Sequence, residues 1–166
     1  VLVGSASSLS GAAYQGVFKN PLVAPDLLGV SSGACVGASV AILLHLNSFG
    51  VQAMAFVAGI LAVGLTLFIP RLIKNTNMTM LVLSGIIVKG IMDSVMGIIK
   101  YVADPETELQ SITYWQLGSL TKVLPKDLFT VGPVIVAASV IIFLLRWRIN
   151  ILSLGDREAK TLGVSV

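Results

Sequence analysis

The sequence predicts an all-α fold: a polytopic integral membrane helical bundle with one short external helix and one short cytoplasmic helix. Three observations carry that expectation. Hydrophobic residues make up 55% of the 166 residues and charged residues only 11%, and the mean hydropathy is +0.94. Soluble domains carry about 25% charged residues, so this inventory could hardly cover a water-facing surface. The apolar residues also fall in runs of roughly 20, the length that crosses a bilayer core. Finally, the stretch Tyr14 to Ala34 is apolar yet broken. Pro21 and Pro25 forbid a continuous helix there and push the residues before them toward extended geometry. Leu22, Val23, Leu27, Leu28 and Val30 keep it too apolar for a free loop. Irregular backbone at membrane depth is tolerated only where protein buries it, so a structured re-entry between two spans is expected.

Taken in order, residues 1–18 form the first predicted span. Its Gly4, Ser5, Ala6, Ser7, Ser8, Ser10, Gly11, Ala12, Ala13 and Gly16 make it a packing helix, because small residues let backbones approach closely in lipid. The second span is predicted at 31–46, with Gly29, Gly33 and Gly37 repeating every four residues as another close-approach ridge. Leu46 to Gly50 reads as a polar turn, and the third span follows at 51–70. Arg71 and Lys74 then precede the polar knot Asn75-Thr76-Asn77, and the fourth span covers 78–101. Asp104 reads as an N-cap, Pro105 as a first helical residue, and Glu106 and Glu108 as first-turn acids. They predict a short external helix over 105–118 with Leu109, Ile112 and Trp115 on one face. Tyr114 and Trp115 suit a membrane interface, where the ring is buried and its polar tip stays wet. The fifth span is predicted at 128–145, closed by Arg146 and Arg148. All five belong to a single transmembrane domain. Cys35, the one cysteine, excludes an internal disulfide and reads as a small core residue. No cleavable signal sequence is visible, and a chain without an initial Met that stops in mid-pattern is expected to be a piece of a longer polypeptide.

Charge sets the expected orientation. If the spans alternate, Lys19, Arg71, Lys74, Arg146, Arg148, Arg157 and Lys160 share one side, against Lys100, Lys122 and Lys126 on the other. The richer side is predicted cytoplasmic. That places the 105–118 helix outside and the tail inside. The tail segment 150–163 is amphipathic and too polar to span. Asp156 can cap a short helix, Ala159 and Leu162 give it an apolar side, and Gly163 can end it. By itself it reads as a helix lying on the lipid surface or as one gripped by a partner.

Four blocks occur in the order NPLVAPDLLGVSSGA, LVLSGI, YWQLGSL and NILSLGDREAKTLGV. In these the chain resembles the permease subunits of ATP-binding-cassette importers for ferric siderophores, haem and cobalamin, over nearly its whole length. The resemblance implies a portion running from the second span of a longer subunit to its cytoplasmic coupling region. It implies a transport subunit rather than an enzyme, with no cofactor of its own, no metal and no nucleic acid. ATP and Mg belong to a separate ATPase. The other implied partners are a second permease subunit, identical or different, an external substrate-binding protein and the lipid of a bacterial or archaeal cytoplasmic membrane. Leu154, Gly155, Asp156, Arg157, Glu158, Ala159 and Lys160 fall in the coupling-helix motif that sits in a groove of the ATPase. Ser31 and Ser32 fall in a turn that helps close the cytoplasmic end of the pathway, and Asn77, Met78 and Thr79 in a second such turn. The fourth span corresponds to a helix lining the pathway between two permease subunits.

Gly29-Val30-Ser31-Ser32-Gly33 matches G-x-S-x-G, but a nucleophile elbow needs a preceding strand, a histidine and an acid. The single histidine, His45, falls at the far end of the next span, so catalysis is not expected. His45 reads as an interfacial residue, with no His or Cys cluster to make it a metal ligand. No Gly-x-x-x-x-Gly-Lys-Ser/Thr loop occurs. Lys89 and Asp93 lie four residues apart on one face deep in the fourth span. They read either as a polar patch on the pathway or as an ion pair that holds the helix in its bundle. The family pattern is mostly apolar at Lys89. The rival function is an ion-coupled secondary transporter or channel that uses this pair as its charge relay.

Overall fold

The computed structural model describes residues 1–74, 77–119 and 125–154, the side chains of 126, 127 and 154 excepted. The helices are α1 (Leu2–Phe18), α2 (Val30–Leu43), α3 (Ser48–Leu72), α4 (Met78–Val102), α5 (Glu108–Leu117), α6 (Pro125–Leu144) and α7 (Arg146–Leu154), with a 3-10 turn at Pro25–Leu28. No strand occurs among the described residues, so the all-α expectation holds. α3 and α4, 25 residues each, are long and apolar enough to cross a membrane, and α6 with α7 would make a third crossing if their 53° bend lies within one span. Two compact units divide the chain, one of residues 26–119 and one joining 1–25 to 125–154.

In the 26–119 unit the helices alternate in direction. Gly33 and Gly37 of α2 lie against α3 so closely that a Cβ at Gly33 would stand 2.5 Å from Ala62 Cβ, and one at Gly37 2.5 Å from Ala58 Cβ and against the Met54 carbonyl. This is the predicted small-residue ridge, working as close approach in lipid requires. Gly29 is not part of it: it lies before the helix and faces α4. The other side of α2 meets α4 and α5. There Met96, Ile99, Ala103 and Ile112 form a buried cluster, joined by Cys35, Val36, Val40 and Leu109. Ser39 Oγ donates to Met96 Sδ at 3.4 Å across the same seam.

Helix ends depart from expectation for local reasons. α2 stops at Leu43 because His45 takes a left-handed conformation (φ 51°). There its own N–H bonds to Ile42 O, and the N–H of Leu46 bonds to Ala41 O, the paired closure of a Schellman turn. At 14 residues α2 is about 21 Å long, shorter than the ~30 Å hydrocarbon core. Residues 48–50, expected in a turn, form the first turn of α3, because Asn47 Oδ1 accepts from Gly50 N at 2.9 Å and caps it. α5 starts at Glu108 rather than Pro105. Asp104 Oδ1 accepts from Glu106 N, Thr107 N and Thr107 Oγ1, each at 3.0 Å, and so closes a turn of its own before the helix. Glu108 Oε2 accepts from Asp104 N at 2.9 Å in return. On α5, Leu109 and Ile112 pack inward as expected, but Trp115 is exposed.

In the other unit α1 packs along α6 and α7. Gly16 makes room: a Cβ there would stand 3.3 Å from Ile149 Cγ2. α1 also ends in a Schellman turn, with Lys19 at φ 51° and Asn20 N bonding to Gln15 O. Arg146 and Arg148, expected only to close the fifth span, lie in the first turn of a further helix, α7. The backbone bonds Leu145 N to Ile141 O and Ile149 N to Leu145 O, both 3.0 Å, carry the helix past the bend.

Two outcomes follow. Gly37→Val in the full-length permease forces the α2–α3 seam apart and costs about 1–3 kcal/mol, seen as a lower thermal midpoint in detergent, whereas Gly64→Ala, where nothing lies within 4 Å of the added carbon, leaves the midpoint in place. The Thr107 hydroxyl, followed by the N–H groups of Glu106 and Thr107, holds the Asp104 carboxyl below its usual range. A carboxylate lowered on folding stabilises above its unfolded pKa of ~3.9 and loses that contribution as pH falls through the folded value. Exchange protection at the Glu106 and Thr107 amides is therefore present at pH 7, persists as the pH reaches the ordinary aspartate range of about 4, and is lost only on further acidification through the lowered folded value; Asp104→Ala removes it at every pH.

Candidate functional site

The broken stretch holds its place through its backbone carbonyls. Residues 25–28 form a 3-10 turn in which Gly29 N donates to Asp26 O at 3.0 Å, and Gly33 N donates to Gly29 O at 2.9 Å; the Leu27 and Leu28 carbonyls between them need room or partners from elsewhere in an apolar setting. Leu28 O accepts from Thr66 Oγ1 of α3 at 3.0 Å, and Thr66 is wholly buried. Leu27 O lies against Gly85 of α4, in the space a side chain at 85 would need. Gly29, at φ +74°, then turns the chain into α2, a conformation only glycine takes without strain. A Cβ at Gly29 would sit 3.4 Å from Lys89 N and from Val88 Cγ1. The break is thus clamped between α3 and α4. α2 begins beside Lys89, eleven residues (89 − 78), or about 16 Å, along α4.

The residues singled out from the sequence distribute around this clamp. Ser31 and Ser32 occupy the first turn of α2, Ser31 exposed and Ser32 half-buried. Asn77 is the N-cap of α4, and Met78 and Thr79 its exposed first turn. Gly29 packs at Lys89, twelve residues (89 − 77), or about 18 Å, from Asn77 along α4, so the two turns lie at different levels. Ser31 follows a 3-10 turn and no strand, and His45 lies at the opposite end of α2, which removes the geometry of a nucleophile elbow. Lys89 and Asp93 are both exposed, and among the described residues no salt bridge joins them. Of the coupling-motif residues, Leu154 is the last described residue of α7, while Gly155, Asp156, Arg157, Glu158, Ala159 and Lys160 lie outside the described residues.

At the other end of this unit the α2–α3 turn meets α5. His45 Nε2 stands 3.5 Å from Glu108 Oε1, and Lys100 Nζ donates to Gln116 Oε1 at 2.5 Å, tying α4 to α5. Thr66 and Gly85 are the positions sequence reasoning passed over. Both had a signal: one hydroxyl inside the apolar run GLTLF, and a glycine after serine in LVLSGI.

Two helices long and apolar enough to cross a membrane, a clamped break and a short helix that starts partway along its neighbours mark a polytopic membrane protein. The chain belongs to the FecCD transport family, whose family model matches residues 1–166. It is 34% identical to the molybdate import system permease protein MolB of Haemophilus influenzae, over 99% of this chain and 49% of that protein. A probable iron chelatin transport system permease protein of Helicobacter pylori is 38% identical, over 99% and 49%, and the hemin transport system permease protein HmuU of Yersinia pestis 34%, over 100% and 51%. The chain thus spans about half the length of the curated relatives it matches. Among solved structures, a metal-chelate type ABC transporter in an inward-facing conformation superposes with a TM-score of 0.90 at 33% identity, over 99% of this chain and 52% of that one.

Loss of the clamp should be graded. Thr66→Val leaves the Leu28 carbonyl without its donor and costs about 1–3 kcal/mol. Gly85→Val puts a branched side chain where Leu27 O lies and is the more damaging of the two. Thermal midpoints of the purified full-length variants check that order.

Proposed function

We propose that this chain is part of the permease subunit of an ATP-driven importer in a bacterial or archaeal cytoplasmic membrane, and that its cargo is a metal chelate or related metal species. The reading is carried by one observation. A relation at one-third identity, with a TM-score of 0.90 to a metal-chelate type ABC transporter, runs through 99% of the chain. Relatives named for iron chelatin, hemin and molybdate support metal-bearing cargo, and ferric siderophore, haem and cobalamin are the preferred candidates.

The parts divide accordingly. The end of the 26–119 unit bearing Arg71 and Lys74 faces the cytoplasm, in keeping with the positive-inside rule. The end bearing His45, Asp104, Glu106 and Glu108 faces outward and receives cargo from an external binding protein. α4 lines the pathway between this subunit and a second permease subunit. Ser31, Ser32 and Asn77 to Thr79 contribute to its cytoplasmic closure at two levels. The clamp on residues 27–29 makes α2, α3 and α4 move together, so that a push from the cytoplasmic side reorients the pathway wall instead of loosening the break. A large cargo needs a wide and weakly binding passage, since tight binding along the way would only slow release.

The push comes from a separate ATPase through Leu154 to Lys160. ATP and Mg are held by that partner, and the permease performs no chemistry of its own.

Ala159→Pro tests this. Proline removes a helix donor and clashes with the preceding turn, a local cost of ~3 kcal/mol or more. The full-length variant is expected at normal level in the membrane, still engaging the external binding protein, with uptake lost and ATP hydrolysis either dissociated or unresponsive to loaded binding protein. Near-normal uptake would contradict the coupling role.

A further inference from the structure

The junction of α6 and α7 carries positive charge that nothing in its own unit answers. α6 is an apolar helix of 20 residues, and its last turns leave Val140, Ile141, Phe143 and Leu144 exposed, as a surface meeting acyl chains would. The axis then bends by 53°. Arg146, Trp147 and Arg148 follow, all three exposed, Trp147 at 71%. The Arg146 guanidinium lies 4.2 Å from the centre of the Phe143 ring, so this cation folds back over apolar surface at the end of α6. One turn further on α7 is held in place: Ile151 is buried, and Ile149 packs at Gly16 of α1.

The missing element is an anion. Neither 1–25 nor 128–154 contains an Asp or a Glu, and among the described residues neither Arg146 nor Arg148 makes a salt bridge. The nearest preceding acid in the sequence, Asp127, is 19 residues (146 − 127), or about 28 Å, back along α6. Successive residues of a helix stand about 100° apart around its axis, so the two arginines flank Trp147. On a helix that leaves its span obliquely, the ring can dip between headgroups while the basic residues beside it stay at phosphate level. Interfacial helices use that arrangement.

We propose that Arg146 and Arg148, on either side of Trp147, form a docking surface for anionic phospholipid headgroups of the phosphatidylglycerol type. The argument is charge complementarity: guanidinium forks match phosphate oxygens, and a headgroup with its own amine gains less from two cations. The exposed end of α6 gives the acyl chains their place, which a free phosphate does not need. These residues lie on the side whose charge predicts it to be cytoplasmic, where the leaflet carries the negative surface potential. The proposal requires only that the chain sits in a membrane, so it stands apart from the transport reading.

Native mass spectrometry of the full-length permease, equilibrated in mild detergent with phosphatidylglycerol or phosphatidylcholine of equal chain length, reads the retained lipid. Wild type is expected to hold phosphatidylglycerol in preference. Arg146→Gln with Arg148→Gln should lower its retention about tenfold or more and leave phosphatidylcholine unchanged. Arg146→Lys with Arg148→Lys should stay within about threefold of wild type, which separates lost charge from lost fold. Unchanged phosphatidylglycerol retention in the glutamine variant overturns the proposal. An equal loss from Arg71→Gln with Lys74→Gln also overturns it, because only general surface attraction would then be at work. Displacement of the lipid by inorganic phosphate would make this a free-anion site instead. Loss of a co-purifying ATPase from the glutamine variant, with lipid retention intact, would assign the surface to a protein.

Discussion

The arrangement depends on one requirement: where the chain abandons helical hydrogen bonding inside an apolar environment, its backbone carbonyls must be met by protein. The donor is Thr66 Oγ1, 3.0 Å from Leu28 O, and the space is Gly85, against which Leu27 O lies. Once these are in place, Gly29 can turn the chain into α2 at the level of Lys89. A short helix can then begin partway along two long ones. An unmet carbonyl would cost on the order of 1–3 kcal/mol.

The helix ends show a second regularity. Lys19, His45 and Lys74 are the non-glycine residues with left-handed φ among the described residues, and they end α1, α2 and α3. Glycine is the usual choice at such positions, and a side chain there costs roughly 1–2 kcal/mol. A basic side chain recovers part of that through the negative end of the helix dipole. Lys19 and Lys74 also place cations at the ends of apolar helices, the kind of residue the positive-inside rule reads.

Much of this was legible in the sequence. Runs of apolar residues marked the long helices, and Gly33 and Gly37 marked the seam with α3, because periodic small residues have one efficient use in lipid. What was not legible depended on conformations or on distant partners. Gly29 continued the same four-residue spacing, yet it serves a backbone turn, which spacing does not encode. His45 ended α2 early by adopting a conformation its residue type seldom takes. Asp104 was read as a helix cap, but its three bonds close a separate turn, a choice made by Thr107 and Glu108 together. Lys89 and Asp93 share a helix face at four-residue spacing, which fits either a polar patch or an ion pair; no salt bridge joins them among the described residues. Thr66 and Gly85 sit 38 and 58 positions from Leu28 and Leu27, beyond the reach of any local pattern.

The most direct test of the central claim is backbone hydrogen–deuterium exchange of the full-length permease in a lipid nanodisc, read over residues 20–30. A break clamped between α3 and α4 predicts slow exchange for the amides of 27–30, with that protection lost in Thr66→Val, and faster exchange at Asn20 and Leu22, whose amide hydrogen bonds lie at exposed residues. Exchange at 27–30 as fast as at Asn20 and Leu22 would mean that the break is a solvated loop, and the account of how α2, α3 and α4 move together would fail with it.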